Sequence, residues 1–291
     1  MPELPEAETI ARQLQRELAG RTLGDVHVAR TDIVHGDPTP LGELLPGRMV
    51  VRVHRRAKQV VLELAPPMQL VFRLGMTGRL TVIPADAETE PHTHFRATVA
   101  ETGGELRFRD PRRFGGIWVL RKGSDYVGRR LGEVGIEPLD ATVRQFREVL
   151  HRYRQIKALL MDQSAVAGLG NIYCDESLHA AGIHPLTPAD SLTPRRATRL
   201  LRTIKSTLRR AIRFNGSTLM DYRDADGREG SFQRLHRVYQ REGKPCKTCK
   251  TPIRRIIAAG RSTFFCPRCQ PEKAHHQDTK TPRKAAKKRH S

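Results

Sequence analysis

The chain begins Met1-Pro2-Glu3-Leu4-Pro5-Glu6. With Met1 removed, Pro2 exposes a secondary amine, and an α-amino group titrates at about 7.7–8.0, far below a lysine. A useful fraction is then neutral near physiological pH and able to attack a sugar carbon or aldehyde to form an iminium. Glu3 stands beside it as an acid/base. With Met1 attached, Pro2 is an amide nitrogen with no nucleophilicity. The small residue at position 2 should permit removal of Met1, so the expected enzyme begins at Pro2. Taken alone, the hexapeptide is equally a proline that merely follows a start codon.

The spacing Cys246-x2-Cys249-x16-Cys266-x2-Cys269 offers four thiolates to one tetrahedral, closed zinc site. Two disulfides are the alternative, but a metal site suits a reducing cytosol better. Cys174 is left over and reads as a small packing residue within a helix. Between the two knuckles, basic and apolar residues alternate through Arg254–Ile257 and Arg261–Phe265. A hairpin with that surface can lie against a phosphate backbone.

Other candidates lie on turns. Gly168-Leu169-Gly170-Asn171 opens a helix whose backbone N–H groups could hold a phosphate, with Arg152, Arg154 and Lys157 just upstream. A plain helix–helix turn reads the same way. Asp110-Pro111-Arg112-Arg113-Phe114-Gly115 and Gly75-Met76-Thr77-Gly78 put Arg112, Phe114 and Met76 on tight loops, as a protein that enters a base stack requires. Turns with core-facing Phe and Met are the alternative. His92 and His94 suit phosphate contact or a polar strand start. Lys58 is a surface strand lysine unless it points toward Pro2.

These residues need a scaffold. Residues 5–18 read as a helix with Ala7, Ile10, Ala11, Leu14 and Leu18 on one face. Short β-like runs follow at 49–53, 59–64, 70–74, 79–83, 95–100, 105–109 and 117–120, suggesting an antiparallel sandwich. Helical spacing returns at 143–153, 156–163 and 172–181. A long helix follows Thr193, with Pro194 in its first turn and Asn215-Gly216 as its stop. Residues 217–236 lack a period and predict a mobile loop. The formal net charge is +21; residues 271–291 hold seven Lys/Arg and two acids, so +16 belongs to residues 1–270. Such an excess predicts a polyanionic partner, although a halotolerant or ribosome-associated surface also carries it. No apolar run reaches membrane-spanning length, and charged residues interrupt any signal-like N-terminal segment.

Taken together, the six motifs resemble the formamidopyrimidine-DNA glycosylase / endonuclease VIII family from Pro2 to about Gln270. The resemblance implies an α+β multidomain fold. A catalytic N-terminal helix and antiparallel β-sandwich would occupy 1–135, and a helix-two-turns-helix domain 136–236, with a lesion-recognition loop at 217–236. A four-cysteine zinc finger at 237–270 and a disordered basic tail at 271–291 complete it. It also implies base flipping, with Pro2 as nucleophile at C1′, Glu3 handling protons, and Lys58 and Arg261 serving elimination or phosphate binding. His92, Arg112, Arg152, Lys157 and Asn171 would contact DNA, and Met76, Arg112 and Phe114 would fill the vacated stack. Arg152 stands where the family often has lysine, which keeps the charge. The implied activity is excision of oxidised purines from damaged double-stranded DNA, then β,δ-elimination, by a zinc-containing monomer in the bacterial cytosol. The alternatives are an endonuclease VIII-like enzyme for oxidised pyrimidines and a non-catalytic zinc protein that binds nucleic acid.

Overall fold

A computed structural model describes residues 2–121, 134–151 and 154–272. Helix α1 (Leu4–Leu18) starts at Glu3, and the Glu6 side chain returns to accept from the Glu3 N–H at 2.9 Å. Pro5 in the first turn gives up no intrahelical donor. Gly20, at φ +78, takes the chain out of the helix, and its N–H bonds Val50 O.

Nine strands then form two sheets: β1 (Leu23–Val28), β2 (Val34–Gly36), β3 (Met49–Arg56), β4 (Gln59–Ala65), β5 (Met68–Arg73), β6 (Arg79–Pro84), β7 (Thr93–Val99), β8 (Gly104–Arg109) and β9 (Gly116–Arg121). Their orders are β1-β7-β8-β6 and β2-β9-β5-β4-β3. A short helix, α2 (Leu41–Leu44), lies between β2 and β3. The seven expected strands are present. Two more, β1 and β2, escape the sequence pattern: β1 contains Gly24 and Asp25, which disfavour strands, and β2 spans only three residues. β2 pairs parallel to β9, so the sandwich is not wholly antiparallel. Its core packs the buried face of α1 against both sheets, with Phe72 edge-on to Phe95 and Phe108 at 5.8 Å.

The second core is helical: α3 (Val143–Leu150), α4 (Ile156–Met161), α5 (Asn171–Ala181) and α6 (Pro194–Arg213). Thr142 caps α3 and Thr193 caps α6. α4 stops at Met161, short of the expected Gln163, because Asp162 turns away to receive the Ser164 N–H. Leu4 packs in this helical core, while Ile10, Leu14 and Leu18 of the same helix pack in the sandwich. Helix α1 therefore crosses the seam, with residues 2 and 3 at the crossing. A third small core holds the cysteines and the hairpin β10 (Arg254–Ala258) and β11 (Arg261–Phe265). Among the described residues no helix is long and apolar enough to cross a membrane.

Candidate active site

Pro2 and Glu3 are buried where the two large cores meet. The Glu3 carboxylate accepts from Gly170 N at 2.9 Å, Ile172 N at 3.0 Å and Tyr173 N at 3.4 Å. These are free donors at the start of α5, where the helix dipole favours an anion. The motif suggested a phosphate at this terminus; the structure gives these donors to Glu3. Gly170 permits the approach, because a Cβ there would lie 2.5 Å from Glu3 Oε1.

Behind Glu3 lies a carboxylate to which the motifs gave no role. Glu6 is buried and accepts from Tyr173 Oη at 2.5 Å and Ser217 N at 2.7 Å. Burial, and then the Glu3 charge, push its pKa up to about 7 against these donors. The spacing Glu3-x-x-Glu6 is the signal that could have found it, since a residue three beyond a helix cap commonly reaches back.

Lys58 sits in the turn between β3 and β4, after Ala57 at φ 53. Among the described residues its ammonium has no hydrogen-bond or ion-pair partner. Its charge, like that of Glu3, reaches Cys174 in the first turn of α5. That thiol is fully buried, and burial pushes its pKa far above the ordinary range, which fits a packing residue.

Lys157 corrects one expectation. Its side chain is 0% exposed, with Nζ at 2.7 Å from Asp175 Oδ1 and 2.7 Å from Thr263 Oγ1. No surface of the ammonium is left for a DNA phosphate. Asp175 also receives Phe264 N at 2.8 Å, so the pair fastens α4 and α5 to β11. Burial raises the Asp175 pKa to about 7, and Lys157 opposes the rise. Asn171 donates to Ser262 O at 2.9 Å, which places Arg261, exposed at the start of β11, beside the start of α5. Arg154 is paired with Asp162 at 2.6 Å. Arg152 lies outside the described residues.

Met76 and Phe114 project at 40% and 54% exposure, and the Arg112 guanidinium stacks 4.6 Å over the Phe114 ring. Their two loops are bound into one unit by the buried Asp110, which takes Thr77 Oγ1 at 2.6 Å and Gly115 N at 2.8 Å. Gly75, at φ +62, lets the loops touch, since a Cβ would meet Gly115 N at 2.6 Å. His92 is exposed at φ 69, while His94 is buried against Asp110 O at 3.0 Å.

Residues 217–236 are irregular, as expected, but docked rather than loose. Tyr222, Asp224 and Ala225 are buried. Gln13 of α1 donates to Asp224 at 3.0 Å and Asp226 at 2.9 Å, and accepts from Ala225 N at 2.9 Å. No local pattern links Gln13 to Asp224, 211 positions away.

The Sγ atoms of Cys246, Cys249, Cys266 and Cys269 all lie within 4.8 Å of one another. A tetrahedral zinc with bonds of about 2.3 Å needs sulfurs roughly 3.8 Å apart. The separations of 3.4, 3.4 and 3.9 Å fit that shell. The four thiolates hold one structural zinc.

Rigid apolar side chains aimed outward from tied loops suit a protein that opens a base stack. The chain also carries a zinc hairpin, and its likeness to known proteins gives the class, a DNA glycosylase of base-excision repair. Family models agree in order: the formamidopyrimidine-DNA glycosylase N-terminal domain matches residues 1–117, its H2TH domain 134–223, and a zinc finger found in FPG and IleRS 243–271. A formamidopyrimidine-DNA glycosylase of Herpetosiphon aurantiacus is 43% identical, covering 93% of this chain and all of the relative. The crystal structure of the MutM (Fpg) protein from Thermus thermophilus superposes with a TM-score of 0.81 at 40% identity, covering 94% of this chain and 100% of that one. A Lactococcus lactis Fpg in complex with DNA containing Fapy-dG superposes at 0.83 with 32% identity, covering 93% and 100%. The chain belongs to the formamidopyrimidine-DNA glycosylase family, and it is a DNA glycosylase and AP lyase.

Proposed function

We propose that this enzyme excises oxidised purines, 8-oxoguanine and formamidopyrimidines, from damaged duplex DNA. It acts as a monomer in the bacterial cytosol or nucleoid. The observation that carries the reading is Glu3, a buried carboxylate fixed by α5 next to Pro2. The Pro2 amine attacks C1′, the bond from C1′ to the base breaks, and the base leaves with a proton. The C1′–O4′ bond then breaks with a proton delivered to O4′, which opens the sugar ring to an iminium; this makes the C2′ hydrogen acidic, so the 3′ phosphate departs by β-elimination and the 5′ phosphate by δ-elimination. Glu3 handles the protons around base loss and ring opening. Lys58, without a partner among the described residues, and Arg261, exposed beside Asn171, serve the elimination steps or the flanking phosphates. His92, Arg112 and Asn171 contact the strand, and Arg152 would add a phosphate contact. Met76, Arg112 and Phe114 fill the space that the flipped base leaves.

We assign residues 1–135 to the catalytic domain, 136–236 to the helical domain and its loop, 237–270 to the finger and 271–291 to a tail. The trio favours oxidised purines, and DNA containing Fapy-dG in the L. lactis complex is of that class. Borohydride should trap a covalent adduct through Pro2 in protein whose intact mass shows Met1 removed. Pro2→Gly, which substitutes a primary amine, should lose most base excision. Failure of processed protein to form the adduct would overturn the mechanism. A strong preference for thymine glycol over 8-oxoguanine would instead favour the endonuclease VIII-like reading.

A further inference from the structure

Helix α6 exposes Arg195, Arg199, Arg202, Arg209, Arg210 and Arg213 and contains no acidic residue; Arg196 and Lys205 are half-buried at the edges of the same face. Among the described residues none of these cations has a hydrogen-bond or ion-pair partner. Intervals of three and four residues align Arg195, Arg199 and Arg202, and then Lys205, Arg209 and Arg213, in one file, a spacing at which like charges repel. At about 1.5 Å per residue, the file from Arg195 to Arg213 runs roughly 27 Å. Arg195 and Arg196 also occupy the first turn, where the helix dipole disfavours cations. Arg210 and Arg213 in the last turn suit the dipole, but the rest of the file gains nothing by itself, and a row of phosphates would relieve its repulsion.

The basic surface continues past the helix. Lys247, before the second zinc cysteine, lies near Arg210, Arg237 and Arg241. At its Arg195–Arg202 end the surface is also remote from the catalytic residues. The apolar stripe of α6, which includes Leu200, Ile204 and Leu208, packs into the helical core, so the cations lie on the opposite side. Arg199 Nη2 stands 3.8 Å from the place a Cβ would take on Gly182, at the C-terminal end of α5. Glu3 and Asn171 are at the other end of α5, roughly 16 Å along its axis.

We infer that the outer face of α6 is a second phosphate-backbone surface, which holds a segment of duplex DNA other than the one in the catalytic cleft. A strand presents one phosphate per ~3.4 Å of rise, so the file spans about eight of them. An enzyme with both faces can hand itself from one duplex segment to another without a free interval.

The test loads full-length protein with a short duplex bearing a non-cleavable abasic analogue, then titrates a labelled undamaged duplex into that complex. Wild type should bind the second duplex with a steep salt dependence. Arg195→Gln/Arg199→Gln/Arg202→Gln/Arg209→Gln should weaken this binding by about tenfold or more and flatten the salt slope by about 0.9 for each phosphate no longer neutralised. Its single-turnover excision on a short saturating substrate should be unchanged. Should the fourfold variant fold poorly, Arg199→Gln/Arg202→Gln should show a smaller loss in the same direction. Three outcomes overturn the proposal. One is no second duplex on the loaded wild type. Another is second-duplex binding that the substitutions leave intact, which would place it elsewhere, for instance after Gln270. The third is retained duplex binding with loss of binding to polyglutamate, which would assign the face to an acidic protein.

Discussion

Lys157 and Asp175 form an ion pair at 2.7 Å from which solvent is wholly excluded. Removing one partner of such a pair strands the other, at a cost of about 3–5 kcal/mol. Lys157→Met should therefore lower unfolding free energy by about that amount in urea titrations. It should also loosen β11, which the Asp175–Phe264 and Asn171–Ser262 bonds still join to α5, so amide exchange at Phe264 should quicken and strand cleavage should fall. A loss of DNA affinity with stability unchanged would instead mean that Lys157 reaches phosphate.

Gln13 holds Asp224, Ala225 and Asp226 with three hydrogen bonds. Hydrogen bonds to charged groups contribute about 1.5–3 kcal/mol each. Gln13→Ala should release the segment, and trypsin should cut at Arg223 or Arg228 about tenfold faster or more, since roughly 1.4 kcal/mol corresponds to a factor of ten. Tyr222 and Ala225 of that segment pack in the sandwich core, so the thermal stability of the sandwich should fall with it.

Glu6 is raised to about 7 by burial and by Glu3. A carboxyl whose pKa is higher folded than unfolded favours the native state most below its unfolded value of 4.5 and loses that contribution as pH climbs toward 7. The full loss is on the order of 3 kcal/mol at 1.36 kcal/mol per unit. Asp175 has the same sign, so the comparison with Glu6→Gln isolates Glu6. Wild-type stability should decline between about pH 4.5 and 7 more steeply than that of the variant, as followed by urea unfolding in matched buffers.

Chelation, or Cys249→Ala, should unravel the finger and remove Arg261 from its place beside Asn171, because ligand binding and folding of such a module are one process. The sandwich core shares no residue with the finger core. Fluorescence of Trp118, the single tryptophan, should therefore stay native while duplex affinity collapses.

Much of this architecture is written locally. The cysteine spacing, the apolar stripe of α1 and the Pro194 start of α6 each depend on residues within a few turns of one another, and each is found where periodicity and capping put it. β1 is hidden because Gly24 and Asp25 disfavour a strand, and β2 because three residues carry no period. Lys157 shows the deeper limit. A lysine reads as a surface cation until something 18 residues away, Asp175, and something 106 away, Thr263, enclose it. The Glu3 contacts with α5 are equally remote in sequence. The Gly168-Leu169-Gly170-Asn171 motif marks a turn with donors to give, yet nothing within it names the recipient.

That recipient has a consequence for fidelity in the cell. Glu3 begins one helix and closes the first turn of another, across the seam between sandwich and helical domain. Any motion that parts the two halves strips the carboxylate of its donors and carries Pro2 away with it. With Pro2 as the nucleophile proposed above, this end of the chain works as an interlock. A molecule that is half-assembled, heat-loosened or partly digested is disarmed by the same separation, before it can nick intact DNA.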